Sequence, residues 1–239
     1  MKEEIFLFYD ERLPRYLIEA AERTIRDAGI IYHNTPVIHA GSDPLPGKKG
    51  SFFTNSGDVV RNNNGFGVQR DAGQMIEAIR KYLSRNGRRI LFITICDLTC
   101  TNRGAYLNFC FGLAKGYSTV ISMTRFGALP AQEQEIILAG LIMHELGHLY
   151  DVAADGSRKN TEDKIGMHCT DRSCVMRQGL SVEEIRGNFL FGNKYRKYLS
   201  DIRQKYYCAL CAQDVDKHFE PKKANPKPSR PLPPRRVVS

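Results

Sequence analysis

Met143-His144-Glu145-Leu146-Gly147-His148 closes an apolar run that begins at Ile136. Residues four apart share one face of a helix, so His144 and His148 can present two imidazoles to one metal ion while Glu145 lies alongside. This is the wiring of a zinc hydrolase, but two histidines are an incomplete site, because a catalytic zinc needs three protein ligands and a position for water. Asp151 falls on the same face. The helix between His144 and Asp151 nevertheless spans about 10 Å, too far for ligands that converge near 2 Å on one ion. The chain has to turn back to supply the third ligand. After His148 the remaining histidines are His168 and His218. His218 lies at the edge of a proline-rich tail, whereas His168 directly precedes Cys169 and is followed by Cys174 and Met176, so His168 is the expected third ligand.

Cys169 and Cys174 form one cysteine couple, and Cys208-Ala209-Leu210-Cys211 contains a second. Two couples at this spacing supply the four thiolates of a closed structural zinc site, which leaves no open position for catalysis. The start, Met1-Lys2-Glu3-Glu4, is acidic, and the apolar run Ile5 to Phe8 is too short for a secretion signal. Without that signal, seven cysteines argue against a disulfide framework. Cys96, Cys100 and Cys110, in or beside apolar strand-like segments, read as small core residues. Ile136 to Met143 is far below the roughly 18 apolar residues needed to cross a bilayer. The expectation is a cytoplasmic protein without membrane contact.

The net charge of +9 would suggest a nucleic-acid partner if it were spread over a folded surface. Six of those charges sit in the last nineteen residues, on Lys222, Lys223, Lys227, Arg230, Arg235 and Arg236, without an acidic residue among them. The basicity belongs to a tail, which argues against nucleic acid. The same stretch holds six prolines and is expected to be disordered; its Pro231-Leu232-Pro233-Pro234-Arg235-Arg236 could make a weak protein contact.

Periodicity divides the rest. Ile5 to Phe8 reads as a strand, Leu13 to Ala28 as a helix stopped by Gly29, and Ile30 to Ile38 as a strand. Gly41 to Gly50 reads as a loop, and Asn62 to Gly65 as a turn. Asp71 to Ser84 has the apolar spacing of an amphipathic helix. Ile90-Leu91-Phe92-Ile93-Thr94-Ile95 suits a strand buried on both faces. Ala105 to Phe111 and Tyr117 to Met123 read as strands separated by Gly112 to Gly116, and Ala131 to Tyr150 as the helix carrying the histidines. Ala153 to Lys164 reads as an exposed polar loop. Ser181 to Tyr207 reads as a helix broken near Gly187, Gly192 and Asn193. Mixed helices and strands around a two-sided central strand predict a three-layer α/β domain over residues 1–216, with a tail over 217–239.

The order His-Glu-x-x-His, then His-Cys, four residues, Cys-x-Met and a distant Cys-x-x-Cys resembles the archaemetzincins, zinc metallopeptidases of the metzincin clan. Phe92-Ile93-Thr94 through Asp97-Leu98, Asn108 to Ala114 and Ser122 to Phe126 are similar in order and spacing to that family's core strands, and the likeness spans roughly Gly67 to Cys211. The resemblance implies an α/β (α+β) metzincin-like domain with a mixed, twisted central sheet and two zinc ions. It implies a catalytic zinc on His144, His148 and His168, Glu145 as general base, and a structural zinc on Cys169, Cys174, Cys208 and Cys211. Met176 would be the Met-turn residue beneath the catalytic metal. The strand from Asn108 to Phe111 would be the edge along which a peptide substrate pairs its backbone.

One departure stands out. Where the family pattern puts a glycine and then the third histidine, this chain has Asp151 and Ala154, and His168 comes twenty residues after His148. Asp tolerates a left-handed turn better than most residues, so a turn at Asp151 is compatible with the pattern. Closing the longer loop costs on the order of 1–2 kcal/mol, small beside the stabilisation from a bound zinc. Two rival readings follow. In one, the chain is a catalytically silent, zinc-stabilised binding protein whose inserted loop caps the metal through Asp151, Asp155, Glu162 or Asp163. In the other, it is a nucleic-acid-binding zinc module that uses the cysteine couples and the tail.

Overall fold

The computed structural model describes residues 4–33, 35–41, 59–61, 68–83, 88–102, 105–163, 165–196 and 198–220. They form β1 (Glu4–Tyr9), α1 (Arg15–Ile31), β2 (Val37–Gly41), β3 (Val59–Arg61), β4 (Val68–Asp71), α2 (Ala72–Leu83), β5 (Arg88–Thr94) and β6 (Asp97–Asn102). There follow β7 (Ala105–Cys110), β8 (Gly112–Lys115), β9 (Ser118–Ser122), α3 (Ala131–Leu149), β10 (Thr161–Asp163), β11 (Met167–Cys169), α4 (Val182–Arg196) and α5 (Ala209–Phe219).

The apolar run at Ile90 lies where its composition requires, in the middle of a five-stranded sheet of order β2-β1-β5-β9-β8. Alternate side chains of β5 leave opposite faces. Leu91 and Ile93 join α1 and α3 in one core, and Ile90 and Phe92 join α2 in another. The result is the expected three-layer α/β arrangement. Strands β2, β1, β5 and β9 run parallel, and β8 closes the edge antiparallel to β9. A second sheet has the order β3-β4-β6-β7. At Phe111 the chain leaves β7 for β8, passing from one sheet to the other, with the Phe111 carbonyl accepting from Ser122 N at 2.8 Å.

Local chemistry sets the helix starts. Asp71 caps α2 by accepting from Gln74 N at 2.8 Å. Ser181 caps α4 by accepting from Glu184 N at 3.1 Å, while the Glu184 carboxylate accepts from Leu180 N at 2.7 Å. Pro130 precedes α3.

Several expectations are corrected. The helix α1 continues past Gly29 to Ile31, and the strand begins only at Val37, because the apolar Ile31 and Tyr32 are buried against the helical layer. Asp97–Asn102 is a strand whose polar alternation hid it, and Gly112–Lys115 is the strand β8 rather than a spacer. The helix α4 is unbroken through Gly187, Gly192 and Asn193. A Cβ at Gly192 would stand 2.8 Å from the Ser173 carbonyl oxygen, so close packing explains that glycine. The polar stretch after Asp151 contains β10. The last helix, α5, runs through Phe219. The readings for residues 42–50, 62–65 and 221–239 fall outside the described residues. No described helix is long and apolar enough to cross a membrane.

Leu91 is fully buried at the centre of the sheet. Leu91→Ala is expected to lower unfolding stability by about 2–5 kcal/mol, read from the urea midpoint at constant m-value. A loss below about 1 kcal/mol would contradict a two-sided position for β5.

Candidate functional site

The helix α3 is apolar on nearly every face, so it has to be buried, and its histidines and Glu145 go in with it. His144 Nδ1 donates to the Val175 carbonyl at 2.6 Å. A carbonyl can only accept, so that bond places the proton on Nδ1 and leaves the lone pair on Nε2. His148 Nε2 lies 3.2 Å from His144 Nε2. Ligands about 2.0 Å from a tetrahedral centre stand roughly 3.3 Å apart, so this pair fits one ion.

His168 comes from β11, with its Nδ1 donating to the Gly166 carbonyl at 2.9 Å. That bond likewise places the proton on Nδ1 and leaves the Nε2 lone pair for a metal. Its ring is stacked 5.2 Å from that of His144 and lies edge-on 5.0 Å from that of His148. Three imidazoles thus form one group that could hold a metal ion, and no carboxylate belongs to that group among the described residues.

The chain reaches His168 by two left-handed residues, Asp151 at φ 57° and Ala153 at φ 61°. Asp151 adopts the conformation its residue type allows. For Ala153 the strained turn is held by its own N–H, which donates to the buried Asp214 carboxylate at 3.0 Å. The segment then returns as β10 and pairs antiparallel with β11, with Glu162 opposite His168 and Thr161 opposite Cys169.

Burial sets the electrostatics. It lowers His144 to about 3, reinforced by His168 and opposed by the Val175 hydrogen bond. Burial, with the charges of His144 and His168, holds His148 well below its ordinary value. His168 is also lowered by burial, against the Gly166 carbonyl and the charges of Glu162 and Asp163. All three are therefore neutral and able to ligate. Burial raises Glu145 to about 8, opposed by a hydrogen bond from Thr119.

Glu145 sits over the edge strand. A Cβ on Gly112 would stand 2.3 Å from Glu145 Oε1, so only glycine admits the carboxylate there. Asn108 to Cys110 lies in β7, at the edge of the second sheet, and the main-sheet edge beside Glu145 is β8 instead. Neither Gly112 nor Thr119, both against the Glu145 carboxylate, belongs to a sequence motif that marks it as part of the site. A glycine within a strand pattern is a signal of close approach, but here it was hidden because the segment reads as a spacer.

Met176 is fully buried under α3, and a Cβ on Gly147 would stand 2.3 Å from its Sδ. Tyr207 Oη donates to the Met143 carbonyl at 2.6 Å and shares a hydrogen bond with Tyr32 Oη, tying the start of the Cys-x-x-Cys segment to the same helix.

Cys169, Cys174, Cys208 and Cys211 are all buried and form a second group that could hold a metal ion. The sulfurs of Cys169 and Cys208 are 3.7 Å apart. Thiolates about 2.3 Å from a tetrahedral centre stand roughly 3.8 Å apart, so this set also fits one ion. A cavity of about 510 Å³ between α1, α3 and α4, lined by Arg23, Asp27, Glu135, Phe189 and Tyr206, contains none of these ligand candidates.

No protein-family profile and no curated protein sequence matches the chain. Solved structures do. Archaemetzincin from Methanopyrus kandleri aligns at 21% identity and a TM-score of 0.60, over 92% of this chain and 96% of the other. A zinc-dependent peptidase from Methanocorpusculum labreanum aligns at 18% identity and 0.53, over 88% and 99%. Archaemetzincin from Archaeoglobus fulgidus, complexed with malonate, aligns at 17% and 0.53 over the same shares. The chain has the archaemetzincin fold.

The contact at Gly147 generates a paired prediction. Gly147→Ala should lower stability by about 1–2 kcal/mol net, since overpacking against Met176 outweighs the helix-propensity gain of about 1 kcal/mol. A Cβ at Gly187 meets nothing within 4 Å, so Gly187→Ala should raise stability by up to about 1 kcal/mol. Thermal unfolding of both variants, each with excess zinc, provides the check.

Proposed function

We propose that this chain is a zinc metallopeptidase that hydrolyses peptide bonds. The observation that carries the reading is a group of three neutral imidazoles without a carboxylate among them, which leaves a tetrahedral position open, and a buried Glu145 beside them. His144, His148 and His168 would hold a catalytic zinc, which would supply a Lewis acid that polarises the scissile carbonyl and lowers the pKa of a bound water towards about 7. Glu145 takes the proton from the attacking water and passes it to the leaving amine. Its buried surroundings favour the protonated form and so favour the first transfer, the uptake of the proton from water. Met176 forms the floor under the helix turn that carries the ligands. Cys169, Cys174, Cys208 and Cys211 would hold a second, structural zinc.

The substrate is a peptide or protein in extended form. The edge strand β8 ends the main sheet at Glu145, and main-chain groups at a sheet edge can pair with an added strand. A peptide laid along Gly112–Lys115 would pass the carboxylate.

The capped, silent alternative is less well supported. Asp151 is 77% exposed at its side chain and faces His218 Nδ1 at 3.5 Å, while Asp155 accepts from Ser157 N at 2.9 Å. Neither these two nor Glu162 and Asp163 join the histidine group.

Glu145→Gln is expected to retain the zinc content of the native chain and to lose turnover of a peptide library by about 10²–10⁴-fold. Chelator should abolish the native activity. Turnover that survives the substitution would exclude Glu145 as the base. Gly112→Ala, whose Cβ displaces the carboxylate, should also depress turnover at least about tenfold with unchanged metal content. Cleavage assays paired with metal analysis separate these outcomes from loss of zinc.

A further inference from the structure

The segment between His148 and His168 reaches the sulfurs of the four-cysteine group. Thr170 N donates to the Asn160 carbonyl at 2.9 Å, which continues the β10–β11 pairing and lays Asn160 against Cys169. Asn160 Nδ2 donates to Cys169 Sγ at 3.4 Å and to Cys208 Sγ at 3.8 Å. Arg158 Nη2 donates to Cys211 Sγ at 3.2 Å. Backbone N–H groups complete the set, from Asp171 to Cys169 Sγ and from Cys208 to Cys174 Sγ, both at 3.4 Å. Every sulfur of the group therefore receives at least one N–H.

Charge explains why such donors are needed. Four thiolates around a divalent cation carry a net −2, and burying that charge is costly unless donors and a cation compensate. The Arg158 side chain is only 11% exposed, and its guanidinium is shared between Cys211 and the carboxylate of Asp214. The fork geometry of Arg serves both at once. Asn160 Oδ1 is buried and receives no hydrogen bond among the described residues, so the contacts from Nδ2 to sulfur are the ones that orient that amide.

We propose that the inserted segment is an outer shell for the four-thiolate centre, in which Arg158 and Asn160 are positioning residues that orient and partly neutralise the sulfurs and so raise their metal affinity. The proposal rests on a divalent metal binding Cys169, Cys174, Cys208 and Cys211 and does not depend on the peptidase reading.

The test is a cobalt(II) titration of the full chain against a competing chelator, followed by the thiolate-to-metal charge-transfer band. The histidine group has no sulfur and is silent in that band. Arg158→Met and Asn160→Ala are each expected to weaken cobalt binding about 10–100-fold and to shift the band. Arg158→Lys, which keeps the charge but not the fork, should recover part of the loss. Asn160→Ala is the milder change and keeps the test decisive if Arg158→Met does not fold. Variants that titrate like the native chain would overturn the proposal, as would a native chain without the band. Glu145→Gln should titrate as native, so failure of the hydrolytic reading and failure of this one are distinguishable.

Discussion

The hydrogen bond from His144 Nδ1 to the Val175 carbonyl is the contact on which the rest of the site depends. It fixes which nitrogen of His144 keeps a lone pair, and it joins α3 to the segment that carries the other components. Val175 stands between Cys174, a member of the thiol group, and Met176, which supports the helix beneath Gly147. Three consecutive residues thus serve the two candidate metal centres and the floor between them. Losing the bond would leave a buried carbonyl unpaired, a cost of about 1–3 kcal/mol, and would free the imidazole to rotate.

Burial both costs stability and prepares the chemistry. The helix α3 could be packed more cheaply with aliphatic side chains at 144, 145 and 148. Desolvation instead holds the imidazoles neutral, which is the state that can ligate, and raises Glu145 towards the range where a carboxyl both accepts and returns a proton. The compensation comes from elements remote in sequence: Val175 for His144, Gly166 for His168, and Thr119 with the open space at Gly112 for Glu145.

The connection between His148 and His168 is accommodated by giving its backbone partners. It bends at Asp151 and Ala153, is pinned by the bond from Ala153 N to Asp214, and returns as a strand against β11. A polar composition reads as an exposed loop because Asp, Ser and Lys are typical of solvent-facing turns. Here two of its polar side chains, those of Arg158 and Asn160, turn inward because the sulfur-rich group offers them acceptors.

By itself the sequence determined what depends on short range. The spacing of His144 and His148 sets a shared helix face, the run Ile90 to Ile95 requires a strand covered on both sides, and the grouping of His168, Cys169, Cys174 and Met176 marks the segment that must come back to α3. Tertiary structure alone decided what meets across the chain. Gly112 looked like a spacer and became the edge on which Glu145 rests, since a missing Cβ matters only once its neighbour is known. Gly187 and Gly192 looked like helix breaks, yet α4 continues because its packing against Ser173 and α3 outweighs a propensity cost of about 1 kcal/mol per glycine. Whether His168 reaches the helix was not legible either, because strand pairing between β10 and β11 leaves no periodic trace in segments of three residues. Periodicity records the faces of single elements; contacts between elements depend on shape and on partners far away in the chain.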